Sequence, residues 1–110
     1  TFGKPIIKHQ VISFKIADME MRAETARANI INAVNHYYAG LPFGKQAAIA
    51  KCYAGDIAVQ NALEAIQIHG GYGYSREYNV EKLLRDAKIM QIYEGTNEIQ
   101  RIVIAGYATK

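Results

Sequence analysis

The sequence predicts an all-α fold, an antiparallel four-helix bundle, on three observations. Apolar and small residues recur at spacings of four and three over long stretches, the breaks between those stretches carry glycine and proline, and no alternating pattern of strand type appears. Two long helices of about seven turns each, followed by two short ones on short connections, bury their apolar sides most simply against one another. With 110 residues and 50% hydrophobic content, the chain is expected to form one domain around one core.

The first helix is marked by Ile12, Ile16, Met19, Ala23, Ala26, Ile30, Ala33 and Tyr37, with Arg22, Glu24, Arg27, Asn29 and Asn32 off that stripe. Gly40-Leu41-Pro42 ends it, since glycine takes the left-handed cap and proline has no N–H for the next bond. A second helix fits residues 45–68, with Ala54, Ala58, Ala62 and Ala65 as a ridge of small side chains and Ile49, Tyr53, Ile57, Leu63 and Ile66 as bulkier contacts. Asp56, Gln60 and Asn61 interrupt this surface and read as exposed groups or as hydrogen bonds between helices. Gly70-Gly71-Tyr72-Gly73-Tyr74 stops the helix; without a preceding strand it is not a dinucleotide loop.

A third helix fits Val80, Leu83, Leu84 and Ala87 inward, with Lys82, Arg85 and Lys88 outward. The fourth fits Ile99, Ile102, Val103 and Gly106, with Thr96 or Asn97 as N-cap and Asn97 to Gln100 as a capping box. In this arrangement the short helices pack near the ends of the long ones, and the connection between them falls at one rim of the bundle.

Charge and cysteine content exclude several functions. A net charge of +3 is scattered among acidic residues with no basic stripe, so nucleic acid is not an expected partner. No apolar run reaches the roughly eighteen residues of a membrane span, and no signal peptide is visible. Cys52 is the only cysteine, reads as core, and shares no metal-type spacing with His9, His36 or His69. No metal is expected.

Chemistry is expected on Tyr93-Glu94-Gly95-Thr96, between two helical patterns. A carboxylate here has an ordinary explanation, a favourable charge near a helix N-terminus. Three features add a functional one. Gly95 permits unusual backbone geometry, Tyr93 offers an apolar wall, and Ile89 and Ile92 exclude water on the other side; desolvation of that kind lifts a carboxyl toward the range of a general base.

The stretch Gln67-Ile68-His69-Gly70-Gly71-Tyr72-Gly73-Tyr74, then Val80-Glu81-Lys82-Leu83-Leu84-Arg85-Asp86-Ala87-Lys88 and Tyr93-Glu94-Gly95-Thr96, resembles the C-terminal signature of the flavin-dependent acyl-CoA dehydrogenases. Thr1-Phe2-Gly3-Lys4-Pro5-Ile6 and His9-Gln10 resemble the opening of that family's C-terminal helical domain, so the resemblance covers residues 1–110. The 110 residues are expected to correspond to that C-terminal domain alone, without the family's N-terminal helical domain and middle β-domain. The resemblance implies α,β-dehydrogenation of an acyl-CoA thioester, with Glu94 taking the α-proton and the β-hydrogen leaving as hydride to FAD. It places Tyr93 and Gly95 against substrate and Thr96, Asn97 and Glu98 along the flavin. Phe2, Gln10, Gln67, Gly70 and Gly71 match positions contacting the adenine end of a second subunit's FAD, which implies a homodimer or homotetramer.

An electron-transfer flavoprotein is the implied redox partner, and the bacterial cytoplasm or the mitochondrial matrix the implied compartment. A base at Glu94 resembles the short-chain and medium-chain straight-chain members. The isolated chain is expected to bind FAD poorly, to self-associate and to be inactive. The competing expectation is a helical association module that keeps the fold without redox chemistry.

Overall fold

The computed structural model describes residues 6, 9–70 and 80–110, and all its regular structure is helical. Helix α1 spans Gln10–Tyr38, α2 Gly44–His69, α3 Val80–Lys88 and α4 Asn97–Ala108, with a 3-10 turn at Ile89–Gln91. No strand occurs among the described residues. The molecule is elongated, 55 × 25 × 24 Å.

The glycine stop after α1 works as its sequence requires. Gly40 has φ 73°, its N–H donates to the Tyr37 carbonyl at 3.2 Å, and the Leu41 N–H donates to the His36 carbonyl at 3.0 Å. This pair of bonds is a Schellman cap, which takes up carbonyls the helix leaves unpaired. Helix α2 then runs back along α1. Asn61 of α2 accepts from Arg22 and donates to the Met19 carbonyl, Arg22 also lies 3.5 Å from Glu64, and His36 meets the Pro42 carbonyl at the turn. Asn61 thus has the inter-helix hydrogen-bonding role its position suggested. Gly70, with φ 65°, caps α2.

Helix α2 is the centre of the fold, since α1, α3 and α4 each pack on it. It buries Ala48, Cys52, Gly55 and Ala62 on one side and Ala50 on the other. Such positions lie about 100° apart per residue around a helix, so the first four share a face and Ala50 lies nearly opposite. The buried interior is made of small side chains, with Ala26 of α1 and Ala87 and Val80 of α3 joining it. Small residues let the helix axes approach closely.

Helices α3 and α4 lie one after the other along α2. The 3-10 turn reaches Gly55 and Asp56, Asn97 meets Cys52, and Tyr107 meets Gly44. The connection carrying Glu94 therefore sits beside the middle of α2, which corrects its expected place at a rim. Two short helices in tandem match one long helix, so their junction falls near its midpoint.

Three expected helix faces also need correction. On α1, Ile30 and Tyr37 are exposed, while Arg22 and Asn29, expected off the stripe, are half-buried. On α3, Val80 and Ala87 are buried and Leu84 is half-buried, but Leu83 is exposed. On α4, Ile99 and Ile102 are 51% and 66% exposed, and Val103 and Gly106 also face outward. The side of α4 toward α2 is carried by Asn97, Arg101, Ile104 and Tyr107. Polar anchors at the first two of these positions hid the phase of the helix, because periodicity follows apolar residues only.

Candidate active site

Glu94 is the one non-glycine residue among the described residues with positive φ, at 55°, and Gly95 follows at 87°. A left-handed step at a residue with a Cβ is disfavoured by roughly 1–2 kcal/mol, so it persists only where neighbours hold it. Side chains from two elements do so. Gln100 of α4 donates from Nε2 to the Glu94 carbonyl at 3.3 Å, and Lys51 of α2 donates from Nζ to the Gly95 carbonyl at 2.8 Å. Sequence reasoning placed the glutamate on a tight connection held by its backbone, and the geometry agrees.

Below this step lies a polar lock centred on Asn97, which is only 2% exposed. Its amide nitrogen donates to the Cys52 carbonyl at 3.1 Å and to Asp56 Oδ1 at 2.7 Å, and its oxygen accepts from Lys51 Nζ at 2.6 Å. Asp56 also accepts from Gln91 at 2.9 Å and from Arg101. Partial burial pushes the Asp56 carboxyl upward, but the hydrogen bonds from Asn97, Arg101 and Gln91 outweigh it and hold the group below the ordinary carboxylate range. Gly55 makes room for this junction, because a Cβ there would stand 3.0 Å from the Met90 carbonyl oxygen and 3.1 Å from Asn97 Nδ2.

Cys52 is buried, and its thiol approaches the Asn97 carbonyl at 3.7 Å. Burial pushes the thiol up, with Arg101 pulling only partly the other way. A thiol kept protonated in this way is a packing group, as its sequence context suggested. Among the described residues no three His, Cys, Asp or Glu side chains gather to hold a metal. No described helix is both long and apolar enough to cross a membrane.

The structure brings Tyr93, Glu94, Gly95, Thr96, Asn97 and Glu98 together around the pinned step. It does not enclose them. Glu94 is exposed, Tyr93 is 50% exposed, and Ile89 and Ile92 are similarly open, so the expected desolvation of the carboxylate by these three side chains is not achieved within this chain. The inward contacts here are made by the carbonyls of Glu94 and Gly95, which leaves the side chains outside. A cleft of about 360 Å³, lined by Ala58, Asn61, Ala62, Leu83 and Met90 among others, does not include Glu94.

Thr96 is the N-cap of α4, where its hydroxyl oxygen accepts from the Ile99 N–H at 3.2 Å. That bond leaves the hydroxyl hydrogen available to another acceptor. The expected capping box is not made, because Gln100 turns to the Glu94 carbonyl. Asn97 has both amide hydrogens committed to the packing, one to the Cys52 carbonyl and one to Asp56. Glu98 is exposed in the first turn of α4, where its charge favours the helix N-terminus.

Gln10, Gln67 and Gly70 are exposed at one end of the helix pair, where α1 begins and α2 ends. About 20 Å of helix rise separates Asp56 from that end, so these residues and the Glu94 step form two separate places. Phe2 and Gly71 lie outside the described residues. Sequence reasoning missed Lys51 and Arg101, and gave Gln100 only a capping role. The available signal was a lysine between Ala50 and Cys52, inside the apolar stretch of α2, and an arginine on α4 in phase with Asn97.

A pinned, left-handed glutamate on an all-helical scaffold defines a class of domain that presents a carboxylate at a fixed backbone angle. Comparison with known proteins places it further. The family described as acyl-CoA dehydrogenase, C-terminal domain, matches residues 1–108. The chain is 58% identical over 106 residues to an acyl-CoA dehydrogenase of Bacillus subtilis (strain 168), covering 96% of this chain and 28% of that protein. It is 55% identical over 105 residues to a short-chain specific acyl-CoA dehydrogenase of Megasphaera elsdenii, covering 96% of this chain and 27% of that protein. The solved structure of butyryl-CoA dehydrogenase from Megasphaera elsdenii superposes with a TM-score of 0.96 at 53% identity, over 100% of this chain and 29% of that one. The chain belongs to the acyl-CoA dehydrogenase family, and it spans less than a third of the length of these relatives.

Proposed function

We propose that this chain is the base-bearing helical domain of an FAD-dependent acyl-CoA dehydrogenase, with Glu94 removing the α-proton of a short straight-chain acyl-CoA. The observation that carries the reading is the left-handed Glu94–Gly95 step, fixed through both carbonyls and presenting an exposed carboxylate. A thioester α-proton is weakly acidic, so a base must be well aimed to take it. In the reaction, the Glu94 carboxylate accepts the α-proton. The electron pair of that C–H bond becomes the α,β double bond while the β-hydrogen leaves with its own pair. FAD, when bound, supplies the acceptor for that hydride.

The residues present fit such a site. Thr96 retains a hydroxyl hydrogen for a flavin acceptor, Glu98 stands beside it, and Tyr93 and Gly95 lie against the place the acyl group would occupy. The backbone N–H of Glu94 is the expected donor to the thioester carbonyl as negative charge develops there. Exclusion of water comes from the rest of the enzyme's length and from the acyl-CoA itself. The short-chain preference rests on the names of the two Megasphaera elsdenii relatives.

Gln10, Gln67 and Gly70 serve a second subunit's FAD at its adenine end, which makes the working enzyme a homodimer or homotetramer. The reduced enzyme passes its electrons to an electron-transfer flavoprotein. The exposed Val11, Phe14, Met21 and Tyr38 provide apolar surface for the remaining domains and for a second copy.

Glu94→Gln in the full-length enzyme tests this function. The variant is expected to keep the flavin spectrum and to lose flavin reduction by butyryl-CoA. Reduction at the parental rate removes Glu94 from the base role.

A further inference from the structure

We propose that Lys51 and Gln100 are positioning residues for the base, holding the left-handed Glu94–Gly95 step so that the carboxylate meets the substrate at a fixed angle. The inference rests on the reading of Glu94 as the base and adds to it the groups that aim it. Neither carbonyl of the step belongs to a helix ladder. Each is taken instead by one side chain, from α4 for Glu94 and from α2 for Gly95.

Lys51 is the unusual member. A lysine on a helix ordinarily extends its ammonium to solvent or to a carboxylate. Here the residue is half-buried, and both its hydrogen-bond acceptors are uncharged, the Gly95 carbonyl at 2.8 Å and Asn97 Oδ1 at 2.6 Å. An ammonium held between two neutral oxygens gives up ion pairing in return for direction. Asn97 fixes the ammonium from below through its own bonds to Cys52 and Asp56. A continuous set of hydrogen bonds therefore runs from the middle of α2 to the backbone of the base. Without it, both side-chain bonds that oppose the return of Glu94 to ordinary negative φ are lost, and that rotation redirects the carboxylate.

The test uses the full-length flavoenzyme and rapid-mixing measurement of flavin reduction by butyryl-CoA. Lys51→Met is expected to lower the limiting reduction rate at saturating substrate about ten- to a hundredfold, as small misplacement of a reacting group does. The dissociation constant for butyryl-CoA is expected to move by less than about threefold, since the contact removed is not to substrate. Lys51→Arg, which keeps the donors, recovers most of the rate. Gln100→Met lowers the same rate by a smaller factor; among the described residues its side chain's only hydrogen bond runs to the Glu94 carbonyl, so it decides the matter if Lys51→Met yields no folded flavoprotein.

A parental limiting rate in either folded variant overturns the proposal, as does a fall in rate matched by an equal loss of substrate binding. Glu94→Gln measured alongside separates the two ideas. Full reduction in that variant sinks the base assignment, whereas its loss together with parental rates in the Lys51 and Gln100 variants sinks only the positioning.

Discussion

Asn97→Ala is the perturbation that the polar lock makes most informative. It removes a bond to the Cys52 carbonyl, one to Asp56 and one from Lys51. A neutral hydrogen bond contributes about 1 kcal/mol net and one to a charged group about 1.5–3 kcal/mol. The simple sum overstates the effect, because both charged partners keep other contacts. Asp56 retains Gln91 and Arg101, and Lys51 retains the Gly95 carbonyl. The expected loss is therefore about 2–4 kcal/mol, a large part of the roughly 5–15 kcal/mol that stabilises an ordinary domain. Equilibrium urea unfolding of the chain, followed by far-ultraviolet circular dichroism, reads it as a lower midpoint at unchanged slope. A loss under about 0.5 kcal/mol, the size of an ordinary surface substitution, refutes the lock.

Gly55→Ala is expected to destabilise by about 1–3 kcal/mol in the same assay, because the added methyl meets the Met90 carbonyl and Asn97, and this exceeds the roughly 1 kcal/mol that alanine gains in a helix. A stabilised variant would show that the close approach is relaxed. Asp56 sets an acid limit: its folded-state value is lowered, so its contribution is present above the unfolded value near about 4 and is lost as pH falls through the folded one. Asp56→Asn should accordingly flatten the acid limb of stability measured below about pH 4, and an unchanged limb would contradict the assignment. Glu94→Gly should raise stability by up to about 1 kcal/mol by removing the Cβ from a left-handed backbone, whereas Glu94→Gln should leave it unchanged; equal effects of the two would show that no strain resides at this residue.

Much of this was legible in the sequence. The glycine at position 40, the small residues of α2 and the stripe from Ile12 to Ala26 each act locally, through cap geometry, helix period and volume, and local rules read them well. The Glu94–Gly95 step was legible for the same reason, since a glutamate beside glycine between two helical patterns is a local signal. The phase of α4 was not. Its inward side begins with Asn97 and Arg101, whose partners lie 41 and 45 positions away on α2, and no pattern within twelve residues of helix reveals a partner at that distance. Lys51 was hidden likewise, because a lysine's acceptors are set by whatever backbone the fold brings to it.

The choice of a polar lock beside the base has a physical reason. Apolar packing holds volumes but is indifferent to small rotations, whereas hydrogen bonds to two successive carbonyls fix two successive peptide planes in orientation as well as position. A left-handed glutamate needs that second constraint, since the ordinary backbone basin is lower in energy and always within one rotation. The small core of α2 contributes the other half of the design. Ala48, Cys52 and Gly55 let the backbone of the connection approach α2 closely enough for lysine and asparagine side chains to reach it. Enlarging those residues would push the lock apart before it changed any group in the reaction, so stability and the aim of the carboxylate are set by the same few ångströms.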